Sequence, residues 1–161
     1  MAELRIGIIT SSDSCARGER EDVSGTTIRE LVEASGWTVV GYQLCADDQI
    51  SLVAAISEMA DVVRADVVLT TGGTGFSPRD VTPEATAEAC DRMAPGIAEH
   101  IRAESVKVTA RAILSRGACG LRGRTLVINL PGSPRAAREA FGFVSGQLEH
   151  AVEMMAGGGH D

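Results

Sequence analysis

The sequence predicts an α/β fold in which helices cover both faces of a mostly parallel sheet, giving three layers (α/β/α). Two observations carry this prediction. Short runs rich in Ile, Val and Leu alternate with segments of helical periodicity along the 161-residue chain. These runs are continuously apolar, which is typical of parallel strands buried between two helical layers. The length and the uniform alternation indicate one domain over residues 1–161.

Two strand–helix units account for the first half of the chain. Residues 6–9 predict the first strand, and a helix beginning near Ser24 is expected to end at Gly36, because glycine tolerates the left-handed conformation at a helix terminus. Residues 37–44 form a longer and less uniformly apolar run, which favours a strand near the sheet edge. A second helix is expected over residues 49–61. Its buried residues, spaced by four and three, are Leu52, Ile56 and Met59.

The third strand and two more helices follow. Residues 67–69 predict a short buried strand. Thr82 is a favourable N-cap and Pro83 a favourable first helical residue, so a helix is expected to begin there. A further helix is predicted from Pro95 onward.

A fourth strand and a long helix complete the pattern. Residues 126–130 predict the strand. Residues 120–124 have the composition of a turn, which leaves open a short antiparallel strand before Leu126. Ser133 is the expected N-cap of a helix that starts at Pro134, and the same helix N-terminus is suited to receiving an anion.

The charge balance narrows the class of partner. Fifteen Lys and Arg residues stand against 22 Asp and Glu, giving a formal net charge of −7. A phosphate backbone or an anionic membrane requires a basic surface, so neither is an expected partner. The aromatic content of 3% also argues against surfaces on which bases stack.

The cysteines and the N-terminal residues predict a cytoplasmic protein. The four cysteines form no CxxC pair and have no histidine at zinc-ligand spacing, which favours scattered reduced thiols. The N-terminal residues lack the features of a signal peptide, and no apolar run approaches the roughly 18–20 residues of a membrane span. We therefore expect a soluble protein.

Polar or glycine-rich segments follow all four predicted strands. In an open α/β sheet, ligands bind beyond the carboxyl ends of the strands. The four segments are therefore expected to line one rim. They are residues 10–13, 45–48, 70–75 and 129–133.

The segment after the third strand predicts an anion-binding loop. Three glycines within four residues let backbone N–H groups approach an anion closely, and the threonine hydroxyls add donors. No lysine follows as in a P-loop, and Pro78 stands where a dinucleotide-binding fingerprint needs glycine. A tight turn that merely needs glycine is the alternative, and binding is the favoured interpretation. The loop consists of Thr71, Gly72, Gly73, Thr74 and Gly75.

Acidic residues on the same rim indicate a divalent cation. Asp47 and Asp48 precede a helix that needs only one N-cap, so one carboxylate is spare. Asp80 either stabilises its own turn or serves the site, and a solvated charge is one open interpretation of Arg79. Asp13 is either a loop-stabilising residue or a rim ligand. Carboxylates beside a phosphate-binding loop suggest Mg²⁺, which bridges Asp and phosphate oxygens.

Two motifs are similar to the signature of the MogA/MoaB family of molybdenum cofactor biosynthesis. The first comprises residues 70–75 (TTGGTG) and 79–86 (RDVTPEAT), and the second residues 129–134 (NLPGSP). Residues 8–13 and 112–116 resemble the family as well. The resemblance extends over essentially the whole chain.

The resemblance implies a molybdopterin adenylyltransferase, which transfers AMP from ATP to the terminal phosphate of molybdopterin with Mg²⁺ present and releases pyrophosphate. It implies a homotrimer, in some members paired into a hexamer. By motif position, Asp47 and Asp80 correspond to acidic residues important for function, and we expect them to hold Mg²⁺ against the ATP phosphates. The residues expected to bind substrate are Asp13, Thr71, Gly72, Gly73, Thr74, Gly75, Pro131, Gly132 and Ser133. Two alternatives stay open: a carrier that binds molybdopterin without adenylylating it, and a scaffold for other cofactor-assembly proteins.

Overall fold

A six-stranded sheet forms the centre of the protein in the computed structural model, which describes residues 3–158. Its strands are β1 (Arg5–Ser11), β2 (Thr38–Cys45), β3 (Val67–Thr71), β4 (Arg92–Met93), β5 (Cys119–Arg122) and β6 (Thr125–Leu130). Their order across the sheet is β2-β1-β3-β6-β5-β4. The first four in this order are mutually parallel, whereas β5 and β4 are antiparallel additions. The predicted mostly parallel sheet is confirmed, and β2 lies at its edge as expected.

Helices cover both faces of this sheet. They are α1 (Asp13–Ala16), α2 (Val23–Ala34), α3 (Gln49–Asp61), α4 (Thr82–Ala89), α5 (Pro95–Ser105) and α6 (Pro134–Met155), with a 3₁₀ helix at Ala110–Leu114. One core lies beneath α2, α5 and α6 and includes Ile8, Ile28 and Leu148. The other lies beneath α3 and α4 and includes Ile9 and Ile56. Successive residues of β1 thus enter opposite cores, and the three-layer prediction is confirmed.

Local chemistry explains the bounds of several helices. α3 occupies the predicted residues 49–61 and buries its predicted apolar face. Gly36 follows α2 with φ +82°, a conformation that disfavours residues with a Cβ. The start of α2 differs from the expectation, because Asp22 rather than Ser24 accepts the capping hydrogen bond, from the amide of Gly25.

Two expectations about the second half were wrong. Strand β5 extends through Arg122, so the predicted turn at 120–124 is confined to Gly123 and Arg124. Thr82 does not cap α4: the N-cap position is Val81, without a side-chain hydrogen bond. The buried Thr82 hydroxyl donates to the carbonyl of Gly72 in the neighbouring glycine loop.

The cysteines and the helix lengths agree with the expectations. All four cysteines lie within the described residues and are free, and three of them are buried. Over residues 3–158, none of the helices has the length and apolar character required to span a bilayer.

Candidate active site

The carboxyl ends of four parallel strands lie at one edge of the sheet. Ser11, at the end of β1, pairs with Cys45 at the end of β2. Thr71, at the end of β3, pairs with Thr10 on one side and with Leu130 on the other. The loops that follow therefore begin at the same level, which confirms the predicted common rim.

The glycine loop packs too closely for side chains. Gly72 and Gly73 have φ values of +92° and +71°. A Cβ at Gly72 would meet the backbone carbonyl of Ser11, and one at Gly73 would meet the hydroxyl of Thr82. At Gly75 it would lie 2.9 Å from a carboxylate oxygen of Asp80. The loop thus needs glycine both for its conformation and for its approach to neighbouring polar groups.

The loop after β6 forms the wall beside it. The Thr71 hydroxyl donates to the carbonyl of Pro131 at 2.6 Å, and the Ser24 hydroxyl donates to that of Gly132 at 2.5 Å. A Cβ at Gly132 would lie 3.2 Å from the Cα of Gly72, so the two loops touch backbone to backbone. Ser133 accepts from the amide of Ala136, which confirms its predicted role as N-cap of α6. The Thr71 hydroxyl is therefore engaged within the protein.

Asp13 and Asp47 hold each other across the ends of β1 and β2. The Asp47 amide donates to Oδ1 of Asp13 at 2.9 Å, and the Asp13 amide donates to Oδ2 of Asp47 at 3.1 Å. The Ser11 hydroxyl donates to Oδ1 of Asp47 at 2.6 Å. Both carboxylates are thus fixed by donors from the rim itself.

Arg79 neutralises Asp13. Its Nε and Nη2 donate to the two carboxylate oxygens of Asp13 at 3.0 and 2.9 Å. This bidentate pair, followed by the amide of Asp47, lowers the pKa of the Asp13 carboxyl. Arg79 is exposed, as a solvated charge would be, and is also paired with Asp13.

Asp48 is the N-cap of α3, which confirms the prediction that one of the two neighbouring aspartates caps this helix. Its Oδ2 accepts from the amide of Ser51 at 2.9 Å and from the Ser51 hydroxyl at 2.7 Å. These hydrogen bonds lower the pKa of the Asp48 carboxyl. Asp47 is left free of that task and belongs to the rim.

Asp80 lies in the neighbouring loop and stabilises its own turn. Its Oδ2 accepts from the amide of Ser77 at 3.0 Å, and its amide donates to the carbonyl of Ser77 at 2.9 Å. Within the described part of the chain, no hydrogen bond joins Asp80 to Asp47. The structure therefore brings Asp13 and Asp47 into contact, and it attaches the Asp80 loop to them through Arg79.

Sequence reasoning gave no role to Arg116 and Glu84. The Arg116 guanidinium pairs with Glu84 at 2.6 Å and donates to the carbonyls of Gly75 and Asp80 at 2.8 and 2.7 Å. The residues of the pair are 32 positions apart. No local spacing reveals such a contact, although residues 112–116 did resemble the family.

Two pockets flank the loops of the rim. One, of about 200 Å³, is lined mainly by residues with polar or charged side chains and includes Ser11, Gly72 and Gly132 in its wall. The other, of about 240 Å³, is mainly apolar and includes Thr74 and Pro131. The glycine loop and the loop after β6 thus contribute to both pockets.

Asp47 and Asp80 are the residues expected to hold Mg²⁺. Residues 3–158 contain no cluster of three or more acidic, histidine or cysteine side chains able to enclose a metal. Mg²⁺ is commonly bound by one or two carboxylates, with phosphate oxygens and water completing its shell. The two carboxylates lie in different loops: Asp47 follows β2 beside Asp13, and Asp80 precedes α4.

Fold and rim together define an α/β domain with a glycine-rich loop at the carboxyl edge of its sheet. The chain belongs to the MoCF_biosynth family, described as a probable molybdopterin binding domain, whose profile matches residues 7–150.

Named relatives share this domain at different lengths. The chain is 37% identical over 159 residues to the molybdopterin adenylyltransferase of Helicobacter pylori J99, covering 98% of this chain and 90% of that protein. It is 40% identical over 156 residues to the molybdenum cofactor synthesis protein cinnamon of Drosophila melanogaster, where it spans 26% of the relative. The crystal structure of the molybdopterin biosynthesis enzyme MoaB from Thermus thermophilus is 44% identical, with a TM-score of 0.90 over 98% of this chain and 99% of that one.

Proposed function

We propose that the protein is a molybdopterin adenylyltransferase of molybdenum cofactor biosynthesis. In this reaction an oxygen of the molybdopterin phosphate attacks the α-phosphorus of ATP. A new phosphorus–oxygen bond forms, and the bond to the β-phosphate oxygen breaks to release pyrophosphate. The observation that carries the proposal is the glycine loop packed against Ser11, whose hydroxyl donates to Asp47 of the Asp13–Asp47 pair, in a chain similar along nearly its whole length to a relative of that name.

Two pockets that share the glycine loop suit a reaction between two substrates. Backbone amides of Gly73 and Gly75 are proposed to orient a phosphate group, because side chains are excluded there and the amides stay approachable. Gly132 and Ser133 bring the N-terminus of α6 to the same place, where partial positive charge favours an anion. The full proposed substrate-binding set is Asp13, Thr71, Gly72, Gly73, Thr74, Gly75, Pro131, Gly132 and Ser133.

The catalytic requirement is mainly alignment and charge neutralisation. The phosphate nucleophile is already ionised, so no strong general base is needed. Asp47 and Asp80 are proposed to hold Mg²⁺, which would neutralise charge on the ATP phosphates. Asp47 is oriented for this by Ser11 and by the amide of Asp13, and Asp80 by its turn.

We also propose that this protein forms a homotrimer, on its own or paired into a hexamer. Large apolar side chains are exposed beyond α5, which supports an interface there. They are Val106, Val108, Ile113 and Leu114. Light scattering coupled to size exclusion measures the assembly mass directly.

We propose further that residues 1–161 form a single domain. The four free thiols support a cytoplasmic location, where cysteines stay reduced.

The test is incubation of purified protein with molybdopterin, ATP and Mg²⁺, following pyrophosphate and adenylylated pterin. Asp80→Asn is the informative variant, because the amide oxygen of asparagine preserves an acceptor for Ser77 while the charge is lost. We expect its turnover to fall about 10²–10³-fold with little change in melting temperature.

Either of two results would contradict the assignment. Full turnover by both Asp47→Asn and Asp80→Asn would remove the carboxylates from the catalytic machinery. Tight molybdopterin binding by folded wild-type protein, with no product formed, would make it a carrier instead.

A further inference from the structure

We propose that Arg116 is a positioning residue for adenylyl transfer, because it fixes the loop that carries Asp80. The inference rests on the proposed function, since Asp80 is assigned to the site there. Arg116 itself touches neither Asp47 nor Asp13 among the described contacts, so its effect passes through the loop.

The guanidinium of Arg116 clamps both ends of that loop. Nε donates to the carbonyl of Gly75, where the loop leaves the glycine segment, at 2.8 Å. Nη2 donates to the carbonyl of Asp80, at the other end, at 2.7 Å. Nη1 pairs with Glu84 in the first turn of α4 at 2.6 Å. All three nitrogens of the guanidinium therefore have an acceptor.

The loop has few other restraints. Residues 76–79 are exposed, and Phe76 is 70% accessible. Apart from the turn hydrogen bonds between Ser77 and Asp80, the loop is held to the rim by the Arg79–Asp13 pair. Burial of residues 76–79 therefore contributes little to the position of Asp80, which depends on these polar contacts together with those of Arg116.

Arg116 is well placed to act as a clamp because its own backbone is fixed. Its amide donates to the carbonyl of Thr74 at 2.8 Å. Nη1 of Arg102, on α5, donates to the carbonyls of Ser115 and Gly117 at 3.1 Å each, one on either side of Arg116. The backbone at Arg116 is thus fixed by Thr74 of the glycine loop and by Arg102 of α5, and neither residue lies within the exposed segment 76–79.

Lysine cannot reproduce these contacts. Arginine presents several N–H donors in a rigid planar fork, whereas the lysine ammonium is a point charge on a flexible stem. Three acceptors on three separate segments match the fork. A displacement of about 1 Å at a reacting centre can lower turnover on the order of 10²-fold, so a loosened loop is expected to reduce kcat.

The matched control is Arg122. It also forms an arginine–carboxylate pair, with Asp61 at 2.6 Å, and it donates to the carbonyl of Ala89 at 2.6 Å. It pairs in the sheet with Thr125, at the start of β6, and therefore lies at the edge opposite the rim. Arg122→Ala removes a comparable set of contacts without touching the Asp80 loop.

The experiment compares kcat, KM and melting temperature for wild type, Arg116→Ala, Arg116→Lys and Arg122→Ala. We expect kcat of Arg116→Ala to fall about 10²-fold and that of Arg116→Lys at least about 10-fold. KM for molybdopterin should change little, because both pockets remain. Arg122→Ala should lower the melting temperature by a similar amount and leave kcat unchanged. A kcat of Arg116→Ala no lower than that of Arg122→Ala overturns the inference.

Amide hydrogen exchange separates failure of this inference from failure of the proposed function. Wild-type protein without transferase activity would contradict the proposed function alone. In that event, faster exchange of the Ser77 and Asp80 amides in Arg116→Ala than in Arg122→Ala would support the clamp. Equal exchange rates in the two variants would overturn it.

Discussion

The backbone amides of Asp13 and Asp47 each donate to the carboxylate of the other residue, at 3.1 and 2.9 Å, so the loops after β1 and β2 are locked reciprocally. Asp47→Asn retains the oxygen that can accept from Ser11 but replaces the second acceptor with an NH₂ group. We expect kcat for adenylyl transfer to fall about 10²-fold or more, because the carboxylate charge is lost at the rim. Steady-state kinetics with molybdopterin, ATP and Mg²⁺ checks this.

The neighbouring Asp48 provides the control for that substitution. Asp48→Asn makes the same chemical change one residue away, and asparagine caps helices about as well as aspartate. Its kcat and melting temperature should match those of wild type. Equal losses in Asp47→Asn and Asp48→Asn would mean that the general negative charge of this loop matters, and not the Asp47 carboxylate.

Thr82 connects the start of α4 to the glycine loop, and its removal is expected to destabilise the protein. In Thr82→Val the shape is kept, but the partly buried Gly72 carbonyl loses the donor at 2.9 Å that the buried Thr82 hydroxyl supplies. An unsatisfied buried acceptor costs about 1–3 kcal/mol in free energy of unfolding. Urea denaturation measures this loss.

Thr26 offers a matched threonine on the surface. Its hydroxyl also donates to a backbone carbonyl, that of Asp22, at 2.9 Å, but the contact is exposed and water can replace it. Thr26→Val should change the free energy of unfolding by less than about 0.5 kcal/mol. If Thr82→Val and Thr26→Val lose similar amounts of free energy of unfolding, the hydrogen bond from Thr82 to Gly72 has no special importance for stability.

The sequence predicted the parallel strands and α3 well, because both depend on local pattern. The strands are continuous apolar runs, and the Leu52–Ile56–Met59 spacing specifies one face of α3. The division of labour between Asp47 and Asp48 could also be predicted, since one helix needs one cap. These features require only the residue types and the periods of a helix and a strand.

Features fixed by tertiary contact could not be predicted in this way. Strand β4 has two exposed residues and no apolar pattern, so it exists only because β5 pairs with it. The Arg116–Glu84 and Arg79–Asp13 pairs join residues 32 and 66 positions apart. Thr82 followed by Pro83 matches the local pattern of an N-cap, yet Val81 occupies the N-cap position and the Thr82 hydroxyl donates to the carbonyl of Gly72. Which polar groups meet at the rim thus depends on how the loops pack.

Alanine at Gly72 is expected to disturb the rim through the backbone. Gly72 has φ +92°, and a Cβ there would meet the Ser11 carbonyl, which is part of the backbone and cannot move aside cheaply. Strain and overpacking together should lower the free energy of unfolding by about 2–4 kcal/mol. Chemical denaturation measures this loss of free energy.

Gly146→Ala, in α6 with open space around the added Cβ, is the control and should instead stabilise the protein by about 0.5–1 kcal/mol. A neutral Gly72→Ala would show that the loop relaxes without strain.

The Arg116–Glu84 pair predicts how part of the stability depends on pH. The hydrogen bonds from Arg116 lower the pKa of the Glu84 carboxyl in the folded protein. At a pH between the folded and unfolded pKa values of this carboxyl, unfolding therefore takes up protons. The stabilisation is fully present above the pKa of glutamate in the unfolded chain, about 4.3. It is lost as the pH falls through the lower, folded pKa. The difference in melting temperature between wild type and Glu84→Gln should thus be largest near neutrality and shrink below about pH 4.3.

The same titration in the Arg116→Ala background shows whether Arg116 is the cause. Without the guanidinium, the Glu84 carboxyl loses the group that lowers its pKa, so adding Glu84→Gln should produce a difference that hardly varies with pH. Differential scanning calorimetry of the four proteins between pH 7 and about pH 3 completes the double-mutant cycle. A pH-dependent difference of equal size in both backgrounds would assign the lowered pKa to another part of the α4 N-terminus. The pair with Glu84 would then contribute little to fixing the Arg116 guanidinium, which would be held by the carbonyls of Gly75 and Asp80.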